Sequence, residues 1–107
     1  MKSALCIIVS FFGCAMAIAQ NQSAKQQAVI AGDFADPSVI RFNNRYYAVG
    51  TSSEWGPHYP VYVSDDLVSW KQVSHVFPKR AAWMKSSFWA PELYAIKNKV
   101  YVYYTAR

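Results

Sequence analysis

The sequence predicts an all-β chain, and more narrowly a piece of a β-propeller. After residue 28 it consists of short apolar and aromatic runs separated by Asn, Asp, Gly, Ser and Pro, which is the pattern of strands and turns. The runs and the segments between them show no amphipathic helical period of useful length. A pair of strands also recurs after 54 residues, as expected for a propeller, whose blades are small repeated sheets.

The first predicted element is a β-hairpin. Ser38–Phe42 and Arg45–Thr51 are apolar and aromatic runs separated by Asn43 and Asn44. Asparagine tolerates the positive φ that a two-residue hairpin turn demands, so the two runs are expected to pair as antiparallel strands.

A second strand pair follows in Pro60–Ser64 and Ser69–Val73, with Asp65–Val68 as its turn. An aspartate in this turn is expected to fix the backbone. Trp70 directly after it is interpreted as a structural residue that packs between sheets.

An internal repeat groups these strands into one unit. A shift of 54 residues lays residues 37–51 over residues 91–105, and it matches Pro37 with Pro91, Asn44 with Asn98, Tyr47 with Tyr101 and Thr51 with Thr105. One repeat of about four strands is what a propeller blade requires. The chain then holds one four-stranded blade and the first hairpin of a second. Because a propeller needs about four to eight blades, we expect a fragment of a longer protein.

The N-terminal segment has the pattern of a signal peptide. Residues 1–19 contain Lys2, an apolar stretch and the small-residue pattern Ala17-Ile18-Ala19, and residues 20–28 read as a polar linker. Cleavage after Ala19 would make the protein secreted or periplasmic. A lipoprotein anchored through Cys14 is the less favoured alternative, and the uncharged run is too short and polar for a good membrane span.

Composition excludes several other classes. The chain is 53% hydrophobic and only 16% charged, which argues against disorder. Its basic residues are scattered, so nucleic-acid binding is not indicated. Cys6 and Cys14 lie in the predicted signal, and His58 and His75 lack ligand spacing. We therefore expect no metal site and no cofactor, and His58 is interpreted as a solvated loop residue.

Asp36 is the first candidate for chemistry. It precedes Pro37 at the start of the first predicted strand. The innermost strands of a propeller line its central channel, so a carboxylate here could project into a pocket where several blades converge. The local pattern alone favours a simpler alternative, in which the side chain only initiates a turn by bonding to nearby backbone.

Five segments together resemble glycoside hydrolase family 43, over roughly Ala31 to Ala106. In order they are GDFADPSVI, RYYAVGTSS, VYVSDDLVSW, FWAPEL and KVYVYYT. The resemblance implies a five-bladed β-propeller and inverting hydrolysis of arabinosides and xylosides, with a plant-type polysaccharide or oligosaccharide as substrate. The alternatives are a carbohydrate-binding propeller without hydrolysis, and a related glycosidase that uses the early aspartate as a nucleophile.

The resemblance assigns the role of general base to Asp36. Inverting hydrolysis uses such a base to deprotonate a water, while a carboxylic acid about 6.5–9.5 Å away protonates the leaving oxygen. The family's acid and the aspartate that tunes it come from later blades and have no matching motif here. The chain is thus expected to hold half of a catalytic pair and to be inactive alone.

Four residues are candidates for substrate binding. Phe34 and Trp89 flank the motifs around Asp36 and Pro91, at the starts of the two blades, and Trp55 lies in the loop Ser52–Tyr59. All three aromatic side chains could therefore stack on sugar faces. Glu92 lies in the motif that shapes the family's sugar pocket, and a solvent-facing position at the strand start is its alternative. Packing between blades is the interpretation for five tyrosines of the predicted strands, namely Tyr46, Tyr47, Tyr101, Tyr103 and Tyr104.

Overall fold

The computed structural model describes residues 27–107, which form two antiparallel β-sheets. Within this range there is no helix, and therefore none that could cross a membrane. The predicted signal, with both cysteines, lies outside the described residues. The strands are β1 (Ser38–Phe42), β2 (Arg45–Val49), β3 (His58–Ser64), β4 (Lys71–Phe77), β5 (Trp89–Ile96) and β6 (Lys99–Thr105).

The first four strands form one sheet in chain order, which confirms the predicted blade. The β1–β2 turn is the predicted pair of asparagines, with φ of 47° at Asn43 and 64° at Asn44. Positive φ at both central residues gives a turn whose twist matches that of the flanking strands. Its geometry pairs Phe42 with Arg45 and sets the register of the hairpin.

The turn between β3 and β4 is longer than predicted. The Asp66 carboxylate accepts the backbone N–H groups of Val68 at 2.9 Å and Ser69 at 2.7 Å. These bonds hold the chain in the turn, so β4 begins at Lys71 rather than at Ser69 and extends to Phe77. The prediction that an aspartate fixes this turn is confirmed, and the predicted strand limits are wrong.

Two other strand ends also differ from the prediction. The predicted second strand reached Thr51, but β2 ends at Val49, and the Thr51 N–H donates to the Ala35 carbonyl at 2.8 Å. The chain therefore turns back toward the segment that precedes β1. The predicted third strand began at Pro60, whereas β3 begins at His58 and pairs it with Phe77.

The second sheet is the hairpin of β5 and β6, as the repeat predicts. Its turn lies at Lys97 and Asn98, 54 residues after the asparagine turn of the first hairpin. The pairing is irregular between Trp89 and Glu92, where Pro91 lacks the N–H that a ladder bond requires. The all-β prediction of one blade and the opening hairpin of a second is confirmed.

The two sheets pack face to face through apolar side chains. An apolar gap of about 340 Å³ lies between them, and it is lined by Phe42, Tyr47, Val49, Val61, Leu93, Val100 and Val102. A buried cluster of Tyr59, Met84 and Phe88 fills another part of the interface. In addition, the Tyr59 hydroxyl donates to the Thr105 carbonyl and so joins β3 to the end of β6. This packing brings the N-terminal ends of β1 and β5 together.

Candidate active site

Asp36 lies two residues before β1 and its side chain is exposed. Its backbone has a φ of 47°, in the left-handed region that aspartate tolerates better than most residues. The Oδ2 atom accepts the Thr51 hydroxyl at 2.7 Å. No described residue hydrogen-bonds to Oδ1 of this exposed carboxylate, and a general base needs an oxygen that can accept a proton from water.

Thr51 connects this carboxylate to the second sheet. Its Oγ1 accepts the Ala90 N–H at 2.9 Å while its hydroxyl donates to Asp36. No local feature of the sequence marks Thr51 as a site residue. It was matched with Thr105 as a strand residue, and only the early end of β2 turns it toward Asp36.

Trp89 and Glu92 lie on the β5 side of the site. Trp89 is 49% exposed and directly precedes Ala90, whose N–H reaches Thr51. Glu92 is also exposed, but it alternates with Leu93, which faces the first sheet, so it points to the opposite face. The structure thus brings the Trp89–Ala90 segment to Asp36 and directs Glu92 away from the first sheet.

Phe34 packs against the first sheet rather than standing free. Its ring meets Tyr62 edge to face, with the ring centroids 5.1 Å apart. A Cβ added at Gly50 would lie 2.8 Å from two carbons of the Phe34 ring, so the ring rests on the glycine backbone. The residue is half-buried, and the sugar contact predicted for it would use the remaining exposed part.

The loop that carries Trp55 is tied to the segment before β5. Trp55 itself is 82% exposed. Its neighbour Glu54 accepts the Ser87 N–H at both carboxylate oxygens, at 3.0 and 3.1 Å. Glu54 was not predicted as a site residue, because an exposed loop glutamate carries no local signal for a partner 33 residues away. The contact places the Trp55 loop on the same side of the molecule as Trp89.

The interpretation of His58 as a solvated loop residue is wrong. It is fully buried, and its ring stacks on Phe88 with centroids 3.5 Å apart and 11° between the planes. The Nδ1 atom lies 3.4 Å from the Ser52 hydroxyl, and Nε2 has no partner among the described residues. Burial lowers the pKa of the imidazole below its ordinary value. His58 is therefore part of the interface between the sheets.

The described residues offer no metal centre. Across residues 27–107, no three histidine, cysteine, aspartate or glutamate side chains come together in a group that could hold a metal ion. What the site does present is the exposed carboxylate of Asp36, with exposed tryptophans on two neighbouring segments. Such a site can accept a proton from a bound water beside a ring-stacking surface.

Comparisons with known proteins show which proteins this chain resembles. Over 80 residues the chain is 32% identical to the non-reducing end alpha-L-arabinofuranosidase of Bacteroides ovatus, covering 74% of this chain and 15% of that protein. It is also 32% identical over 83 residues to a beta-xylosidase of Bacillus subtilis, covering 72% of this chain and 16% of the relative. The chain thus spans only a small part of each relative.

The fold is shared with solved structures. The Bacteroides ovatus xyloglucan-locus family 43 protein superimposes with a TM-score of 0.67 and 32% identity, covering 75% of this chain and 17% of that one. The family model for glycosyl hydrolases family 43 matches residues 25–107. That match includes the segment around Asp36, Thr51 and Trp89, and the chain belongs to glycosyl hydrolases family 43.

Proposed function

We propose that this chain is the part of a family 43 glycosidase that carries the general base, Asp36. The substrate class we propose is a saccharide that contains arabinose or xylose. The names of two relatives support this choice, since one is an arabinofuranosidase and the other a beta-xylosidase. The reaction we propose is hydrolysis of an O-glycosyl bond with inversion at the anomeric carbon.

The observation that carries the proposal is the geometry of the Asp36 carboxylate. It is exposed at the end of β1 that meets β5, and Thr51 occupies one of its two oxygens. In the proposed reaction the other oxygen takes a proton from water as the water attacks the anomeric carbon. A carboxylic acid on the opposite side of the sugar protonates the leaving oxygen, at about 6.5–9.5 Å from the base.

We propose that this acid, and the carboxylate that tunes it, come from blades outside residues 27–107. Glu92 is not proposed as the acid, since it points to the opposite face of the second sheet from Leu93. On this proposal the chain supplies the base and part of the sugar-binding surface, and it is inactive without the remaining blades.

Among the candidates for sugar contact, the exposed tryptophans have the strongest support. Trp55 and Trp89 are 82% and 49% exposed, and ring faces of this kind stack on the apolar faces of sugars. Phe34 offers only the part of its ring that Tyr62 and Gly50 leave open. Glu92 is retained as a candidate for a hydrogen bond to a sugar hydroxyl.

We also propose export to the periplasm or the medium, with cleavage after Ala19. Mass spectrometry of the mature protein tests this proposal. A product that begins at Gln20 supports it, whereas a lipid-modified product that begins at Cys14 would show a lipoprotein instead.

The function is tested with a fusion protein. It consists of this full chain followed by the part of the Bacteroides ovatus arabinofuranosidase that comes after its aligned stretch, chosen to supply the remaining blades. We expect the fusion to hydrolyse nitrophenyl arabinofuranoside or nitrophenyl xyloside, and the chain alone to release nothing. Saturable glycan binding without hydrolysis by the fusion would favour a carbohydrate-binding protein.

The stereochemistry of the product distinguishes the mechanisms. Proton NMR of the first sugar that the fusion releases should show the anomer opposite to that of the substrate. A product that keeps the substrate's anomeric configuration would mean that the aspartate acts as a nucleophile.

A further inference from the structure

We propose that Thr51 is a positioning residue for the general base, one that sets the direction of the Asp36 carboxylate from the second sheet. This inference rests on the proposed function of Asp36. It concerns a residue that takes no part in the chemistry itself and acts through the base.

The direction of the hydrogen bonds around Thr51 is fixed by chemistry. An ionised carboxylate can only accept, so the Thr51 hydroxyl must donate its proton to Asp36 Oδ2, at 2.7 Å. The Ala90 N–H can only donate, and Thr51 Oγ1 accepts it at 2.9 Å. The hydroxyl therefore has one arrangement that satisfies both neighbours, and in it Oδ2 is occupied while Oδ1 has no hydrogen-bond partner among the described residues.

The backbone around Thr51 is held from both sheets. Its own N–H donates to the Ala35 carbonyl at 2.8 Å, on the segment that carries Asp36. The next N–H, of Ser52, donates to the Phe88 carbonyl at 3.2 Å, on the segment that leads into β5. A β-branched side chain also has few rotamers, so the position of Oγ1 follows from that of the backbone.

Asp36 needs such support, because among residues 27–107 only Thr51 donates a hydrogen bond to its side chain. It lies outside the strand ladder, is exposed and has left-handed backbone. A base that can rotate spends part of its time away from the line of attack on the anomeric carbon. Small misplacements of a catalytic group cost as much as about a hundredfold in rate, so the bond from Thr51 bears on turnover more than on binding.

The test uses the fusion protein with two substitutions at this position. Thr51→Val keeps the shape and removes the hydroxyl, whereas Thr51→Ser keeps the hydroxyl. We expect the valine variant to lose about ten- to a hundredfold in kcat with KM nearly unchanged, and the serine variant to stay close to the parent. If the valine variant fails to fold, Thr51→Cys replaces it, since a thiol is only a weak donor.

The repeat provides a matched control. Thr105 lies 54 residues after Thr51 and exposes its side chain at the end of β6, so Thr105→Val should leave kcat at the parent value. An additional arm combines Thr51→Val with Asp36→Asn. Since Thr51 acts through Asp36, the double variant should be no slower than Asp36→Asn alone.

Three results would overturn the inference in a fusion that hydrolyses its substrate. They are an unchanged kcat in Thr51→Val, equal losses in the valine and serine variants, and a further loss when Thr51→Val is added to Asp36→Asn. A fusion that folds but does not hydrolyse any of the substrates contradicts the proposed function instead, and the positioning role falls with it.

Discussion

Asp36 and Ala90 occupy equivalent positions in successive repeats, and both have left-handed backbone directly before a proline. Their φ angles are 47° and 43°, and they are 54 residues apart. This conformation is unfavourable by about 1–2 kcal/mol for a residue with a Cβ atom. Its presence at both equivalent positions indicates that the chain needs it at the start of the first strand of a blade, whichever residue stands there.

The strain at Ala90 can be tested by substitution. We expect Ala90→Val to lower the free energy of unfolding by about 1–3 kcal/mol, because a β-branched side chain fits this φ poorly. Ala90→Gly should be neutral or slightly stabilising, since relief of strain offsets the greater freedom of the unfolded chain. Urea unfolding of the full chain measures both, with Ala82→Val at an exposed position as control. Equal stabilities of the valine and glycine variants would contradict the account of strain.

Asp66 should make the β3–β4 turn sensitive to acid. Backbone hydrogen bonds from Ser69 and Val68, with that of the Ser64 hydroxyl, lower the pKa of its carboxyl to about 2. The folded pKa is below the unfolded value of 3.8, so the stabilisation is complete above pH 3.8 and is lost as the pH falls through about 2.

The measurement is the urea midpoint between about pH 5 and about pH 2. At about pH 5, Asp66→Asn should have a lower urea midpoint than the parent. At about pH 2, the difference between the two midpoints should be smaller. Asp65→Asn is the matched control, because it removes only the exposed ion pair with Arg45. The same pH dependence in the parent and in Asp66→Asn would contradict this role.

His58 should make the interface between the sheets sensitive to milder acid. Burial is the main cause of its lowered pKa, with a smaller effect of the Arg80 charge, while Ser53 and Glu54 act in the opposite direction. The unfolded chain therefore binds a proton more readily than the folded one. The stabilisation from neutral His58 is fully present above pH 6.5, the ordinary pKa of the imidazole, and declines as the pH falls below that value.

His58→Phe keeps a ring to stack on Phe88 and removes the titrating group. Between about pH 7.5 and about pH 5.5, the parent should lose stability and the variant should lose much less. His75→Phe, at a partly exposed position on β4, serves as control and should behave like the parent. An equal decline in His58→Phe would show that another group causes the acid sensitivity.

Much of the fold was predictable, because local signals and the repeat agree. The asparagine turn, the order of the strands and the second hairpin at a spacing of 54 residues follow from turn chemistry and alternation. The strand limits were less predictable. Asp66 extends its turn by side-chain bonds, and Thr51 leaves β2 because Ala35 offers it an acceptor.

The exposure of the tyrosines illustrates a second limit. Tyr47 and Tyr101 are equivalent in the repeat, and both were expected to pack between blades. Tyr47 lines the gap covered by the second sheet, whereas Tyr101 is 45% exposed on the far face of that sheet. Among the described residues nothing covers that face. A repeat predicts which residues are equivalent, but burial depends on which neighbouring sheet is present.

Within the candidate site, the sequence predicted Asp36 and the motif around Trp89 through the family resemblance, and this assignment stays a prediction. It missed Thr51, Glu54 and the burial of His58, since each of these depends on a contact between the two sheets. Such contacts arise from packing, and a polar residue in a loop carries no local sign of its partner.

The most direct test of the account is the turnover of the fusion protein with Asp36→Asn. The amide keeps the size of the side chain and still accepts the Thr51 hydroxyl, but it cannot take a proton from water. We predict that kcat falls by about 10²- to 10⁴-fold, with substrate binding and the urea midpoint near the parent values. A variant that folds, binds substrate and turns it over at the parent rate would contradict the assignment of Asp36 as the general base.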